Sequence, residues 1–169
     1  MTDSALQLLL GGLSRAELRE RLAAAGVQLN VHAETLLDHP CFDERAPETV
    51  MVTQRRVADL GLPEEGTLPE VIAASLRQGL ALCPATTGPY LRLAMASQSQ
   101  APDSLLSAGR IPTGALHVVS EPLSADHEFP KGFYLRVVEG VSWLRGFRCD
   151  DDYVWPPESV IALRAADGD

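Results

Sequence analysis

The run GFYLRVVEGVSWLRGFR, residues 132–148, constrains this chain more than any other. Two stretches rich in Val, Tyr, Phe, Trp and Leu flank Glu139-Gly140, and such a pair between β-forming runs reads as a two-residue hairpin turn. Folding about that turn pairs Val138 with Val141, Val137 with Ser142, Arg136 with Trp143, Leu135 with Leu144, Tyr134 with Arg145 and Phe133 with Gly146. Side chains alternate along a strand, so this register sorts both faces at once. Phe133, Leu135, Val137 and Leu144 form an apolar face that should meet helices. The other face sets Arg136 against Trp143 and Tyr134 against Arg145, with Phe147 and Val141 nearby.

Upstream, the signals are mainly helical. Residues 3–45 read as helices: Leu6, Leu9, Leu10 and Leu13 fit one helical face, broken at Gly11-Gly12. Ser14 with Glu17 is a capping box opening a second helix that Gly26 ends. Asn30 is placed to cap a third, short helix that Pro40 stops. Val50–Val57 alternates as a strand. Thr67 with Glu70 is another capping box, with Pro69 in the first turn, and the helix it opens stops at Gly79. Leu80–Cys83, Tyr90–Met95 and Leu116–Glu121 read as short strands, and Ser159–Arg164 as a strand closing or edging the sheet. Residues 97–114, rich in Ser, Pro and Gly, read as a loop.

The length, 169 residues, fits a single domain. Its parts would be a helical stretch at 1–45 and an α+β stretch at 46–169. With 46% hydrophobic and 22% charged residues the chain is globular in composition. No apolar run approaches the roughly 18 residues of a membrane span, so no membrane partner is expected. The first residues lack the basic n-region of a secretory signal. Net charge is −9, spread evenly: residues 1–85 hold 7 basic and 12 acidic side chains, and 86–169 hold 7 and 11. Such a chain repels nucleic acid at long range. Cys41, Cys83 and Cys149 are widely spaced with no C-x-x-C, which predicts reduced thiols in a cytoplasmic protein and neither structural zinc nor a redox motif. Thirteen Arg against one Lys, Lys131, with many Ala, reads as the stamp of a GC-rich genome.

Candidate chemistry is sparse. His32-Ala33-Glu34 matches the H-A-E element of zinc deaminases, but the P-C-x-x-C that must supply two thiolates is missing. His32, Glu34, Asp38, His39 and Cys41 fall within ten residues, yet the two histidines lack the one-turn spacing of H-E-x-x-H. Asp150-Asp151-Asp152, with Asp126 and Glu128, offers hard oxygens without an EF-hand pattern. P-loop, nucleophile-elbow and dinucleotide motifs do not occur, so no metal or cofactor is expected. Seven of the nine aromatics lie between 129 and 155, beside Lys131, Arg136, Arg145 and Arg148. Aromatic rings beside guanidinium groups suit a partner's hot spot or a flat or anionic ligand.

The runs SRAELRERLAAAGVQLN, DLGLPEEGTLPE, GLALCP, GPYLRLAM and FPKGFYLRVVEGVSWLRGFRCDDDYVW resemble a family of small bacterial proteins of unknown function. Some of its members carry the label helicase, which implies Walker motifs that this chain lacks. The resemblance implies no catalytic residues.

The expectation is therefore an α+β domain: N-terminal helices packed on a mostly antiparallel sheet that ends in a C-terminal hairpin. The leading function is a non-catalytic cytoplasmic binding module. Its surface would be Tyr134, Arg136, Trp143 and Arg145, with Arg148 and Trp155 at the rim, facing a protein or a small anionic or aromatic ligand. One alternative is a small metal-dependent or thiol hydrolase or deaminase-like enzyme with its site around His32, Glu34 and Cys41. A further alternative is an RNA-associated protein using the same Arg/aromatic face.

Overall fold

Capping chemistry sets where the helices begin. In the computed structural model, which describes residues 5–44, 46–95, 115–126, 128–149 and 151–165, helix α1 spans Arg15–Ala24. Ser14 Oγ accepts from the Glu17 N–H at 3.2 Å, and Glu17 Oε1 accepts from the Ser14 N–H at 3.1 Å. Helix α2, Val31–Leu37, is capped by Asn30, whose Oδ1 accepts from the Ala33 N–H at 2.8 Å. After the short α3, Cys41–Glu44, helix α4 (Leu68–Arg77) opens on the reciprocal Thr67–Glu70 box. Helix α5 spans Thr87–Ala94. Ser14→Ala should lower stability by about 1 kcal/mol, read as a lower urea midpoint at an unchanged m-value.

The described residues also form nine strands: β1 Leu6–Leu10, β2 Gln28–Leu29, β3 Glu48–Arg56, β4 Gly66–Thr67, β5 Leu116–Val118, β6 Gly132–Val138, β7 Val141–Phe147, β8 Val154–Trp155 and β9 Val160–Arg164. Seven form one sheet in the order β1-β3-β9-β5-β6-β7-β2, and β4 pairs with β8 alone. β6 and β7 pair antiparallel, with Val138 opposite Val141 and Tyr134 opposite Arg145. Their turn takes positive φ at both Glu139 (50°) and Gly140 (79°), the twist that matches a right-handed strand pair.

Several expectations are corrected. The sheet is mixed: four of its six pairings are antiparallel, but β5–β9 and β7–β2 run parallel. It does not end in the hairpin, since β8 and β9 follow it. β9 is no edge: it lies between β3 and β5, its inner residues Ile161, Ala162 and Leu163 all fully buried. Leu6–Leu10 is a strand rather than a helix, paired with Glu48–Val52. Tyr90–Met95 belongs mainly to α5. Leu80–Cys83 forms two isolated bridges, Ala81 to Arg164 and Cys83 to Ser120, and no continuous strand. The stretch read as a loop at 97–114, and Asp150, lie outside the described residues.

The sheet separates two apolar cores. Leu116, Leu135, Leu144 and Ala162 face one that takes Leu18 and Leu22 of α1, Ala33, Leu36 and Leu37 of α2, Phe42 of α3 and Leu91 of α5. Ile161 and Leu163 face the other, with Val71 and Ala74 of α4, Leu60, Val119 and Trp155. Alternation along β5 and β9 sends neighbouring residues to opposite sides, so both faces are covered. Among the described residues, no helix is long and apolar enough to cross a membrane.

Candidate functional site

The second face of β5, β6 and β7 carries the densest chemistry. Across the three strands His117 lies opposite Tyr134, and Tyr134 opposite Arg145. Strand geometry therefore puts three polar or aromatic side chains in one row. The His117 imidazole stacks on the Tyr134 ring, with centroids 4.7 Å apart and planes 19° from parallel. Phe147 and Trp155 meet the same imidazole edge-on, at 5.1 and 4.9 Å. Arg145 Nε donates to Tyr134 Oη at 2.7 Å, and the guanidinium lies 5.0 Å from the Trp143 ring centroid.

Burial divides this face. Tyr134 is 4% exposed, His117 1%, and Arg136 and Trp155 0%. Trp155 is thus interior rather than at a rim, because β8, paired beside β4, carries it into the second core with Val71 and Ala74 of α4. Arg136, likewise enclosed, presents no contact surface, and it has interaction partners of its own. Trp143 and Arg145 stay half-exposed, and Arg148 is exposed, its Nη1 donating to Glu128 Oε2 at 2.9 Å. The hairpin's Arg/aromatic residues are therefore adjacent, as their register requires, but only its β7 half reaches solvent. Polar-looking alternation suggests an exposed face, but Trp155 of β8 packs on His117 and Phe147, and Tyr134 and Arg136 are buried.

His117 sits deepest. Burial without compensating charge pushes its pKa down to about 3, so the ring is neutral at physiological pH. Among the described residues its Nδ1 has no hydrogen-bond partner, and neither has the buried Nε1 of Trp155. Sequence reading missed His117: a lone histidine in an apolar three-residue strand belongs to no motif. Its signal, if any, is the LHV pattern itself, which places a polar ring where a core residue belongs.

Beside this cluster a cleft of about 140 Å³ opens between the first turns of α4 and the end of β5. Leu68, Pro69, Ile72, Val118 and Val119 make it apolar, and Lys131 and Asp151 bring charge to it. Phe147 lines the cleft and also lies against His117 and Trp155, joining the two features.

No family model, curated protein or solved structure matches the chain.

The other sequence candidates sit on the opposite side of β7. His32 is half-buried at the start of α2; burial, then Arg148 and Arg145, lower its pKa. Glu34 is exposed, and its neighbour Asp38 pairs with Arg19 at 2.8 Å. His39 Nδ1 accepts from the Cys41 backbone N–H at 3.1 Å, which occupies the lone pair a thiol would need for activation. Cys83 is buried, and burial pushes its thiol up to about 12, out of the range of a nucleophile. Among the described residues, no three His, Cys, Asp or Glu side chains are grouped to hold a metal ion, and this includes His32, Glu34 and Cys41 as well as Asp126 and Glu128.

Proposed function

We propose that the protein is a non-catalytic binding module whose small aromatic ligand occupies the cleft at Phe147. The cleft itself carries this reading. A recess with apolar walls and few polar groups is the usual form of a small-molecule site. Its volume of about 140 Å³ is close to the roughly 150 Å³ of a cavity that accepts benzene. One ring, or one branched aliphatic group, is the payload it fits. The outer Arg/aromatic surface is the weaker choice, because Arg145 already uses Nε on Tyr134 and its flat face on Trp143. Three free cysteines, two of them buried, fit a reducing compartment such as the cytoplasm.

Titration of the labelled protein with toluene tests this by NMR. Amide shifts should concentrate at Val118, Val119, Ser120 and Lys131. They should vanish in Ile72→Trp, whose indole fills the cleft, provided that variant keeps its far-UV spectrum. A wild-type spectrum that toluene leaves unchanged overturns the reading.

A further inference from the structure

Behind Phe147, which lines the cleft, lie two polar atoms without a partner among the described residues. His117 Nδ1 and Trp155 Nε1 are both buried without a hydrogen bond among the described residues, on rings whose centroids are 4.9 Å apart. An indole nitrogen only donates, whereas a neutral imidazole offers one donor and one acceptor nitrogen. Proteins seldom leave such groups orphaned, and each one that persists points to a strain reservoir, a water or a ligand. A donor and an acceptor on touching rings suit a group that can do both, and a hydroxyl is the smallest such group.

Phe147 is the element that separates these atoms from the cleft. It lines the recess, and its ring packs edge-on against His117 and Trp155. Its cross-strand neighbour Gly132 has no side chain, the β6 ring nearest it is Tyr134 at 6.4 Å between centroids, and Phe147 is only half-buried. We propose that the ligand is a small phenol: its ring fills the cleft, Phe147 rotates aside, and its hydroxyl accepts from Trp155 Nε1–H while donating to His117 Nδ1. This rests on the cleft being the binding site. A carboxylate of the same size is disfavoured at that position, since an anion there would be buried against an acceptor nitrogen and aromatic rings.

Phenol and toluene have the same ring and differ in hydroxyl against methyl, so paired NMR titrations of the full chain isolate the inference. Phenol should bind at least about tenfold more tightly than toluene, the worth of satisfying at least one of the two buried polar groups. It should also move the His117 Nδ1 resonance, which toluene should not. In His117→Phe, which leaves only the Trp155 donor, phenol's advantage over toluene should shrink several-fold. Trp155→Phe is the second variant should the first fail to fold. If toluene binds and phenol is no tighter, or if phenol keeps its full advantage in the variants, the hydroxyl pairing is wrong and the cleft reading stands. If neither compound binds, the cleft reading itself is overturned.

Discussion

His117→Phe should abolish most of the acid sensitivity of this protein between pH 7 and pH 5. In the folded chain His117 is fully enclosed by Tyr134, Phe147 and Trp155, and burial holds its pKa at about 3. In the unfolded chain it returns to about 6.5. Between those two values the unfolded state binds the proton and the folded state does not. Stability therefore rises with pH in that window and is lost as pH falls below about 6.5, at up to about 1.4 kcal/mol per pH unit. By pH 5 the wild type should have lost about 2 kcal/mol relative to pH 7.

Two other sets of groups titrate nearby and must be kept apart. His32 is also lowered, by burial and by Arg148 and Arg145, so it contributes in the same direction in both wild type and variant. Glu17, Asp43, Asp59 and Glu70 are lowered by hydrogen bonds from their caps and arginine partners. Depressed carboxylates contribute stability that is lost only as pH falls below their unfolded values, under about pH 4.5. Urea unfolding at pH 5, 6 and 7 stays above that range, and the difference between the two proteins isolates His117. Phenylalanine keeps the ring contacts and removes the unpartnered Nδ1, so at pH 7 the variant should be at least as stable as the wild type. A variant that lost stability with the same slope would show that His117 is hydrated or paired.

The parts of this fold legible in the sequence are those written in local chemistry. Ser14, Asn30 and Thr67 announce their helices because each supplies a side-chain oxygen to an N–H three residues on. Glu139-Gly140 announces its hairpin because a two-residue turn of this twist takes positive φ at both positions. What was not legible depends on distant segments. Leu6–Leu10 has leucines at helical spacing, but pairing with β3 buries Leu8 and Leu10 and leaves Leu6 and Leu9 exposed, a strand's pattern. Thr87–Arg92 is buried on every side, so it shows no one-sided periodicity and a short apolar run there reads equally well as a strand. Nothing in Val160–Arg164 says that it will lie between β3 and β5. The site followed the same division. Tyr134, Trp143 and Arg145 were found together through the hairpin register, whereas His117 and the cleft arise from β5 and α4, which the sequence places nowhere near them.

Gly146→Ala should cost about 3 kcal/mol, more than an ordinary surface change, because its β-carbon has nowhere to go. A Cβ built at Gly146 would stand 2.6 Å from the carbonyl carbon of His32 and 2.8 Å from the Ala33 nitrogen. Those are backbone atoms of the first turn of α2, and no rotamer change relieves them. The close approach is what lets Asn30 do three things at once. Its Oδ1 accepts from the Ala33 N–H and from the Gly146 N–H, both at 2.8 Å, and its Nδ2 donates to the Gly146 carbonyl at 3.0 Å. Asn30 thereby caps the helix and docks it on β7. Pushing α2 outward to admit a methyl group would stretch those bonds and loosen Ala33, Leu36 and Leu37, which are fully or almost fully buried in the first core. Asn30→Ala removes the same docking from the other side, at about 2 kcal/mol for a cap and two further bonds. Because both changes act on one contact, the double variant should lose less than the two single losses together, with a coupling of at least about 0.5 kcal/mol by urea unfolding. Strict additivity, or a Gly146→Ala protein as stable as wild type, would show that α2 is not held to the sheet at this point.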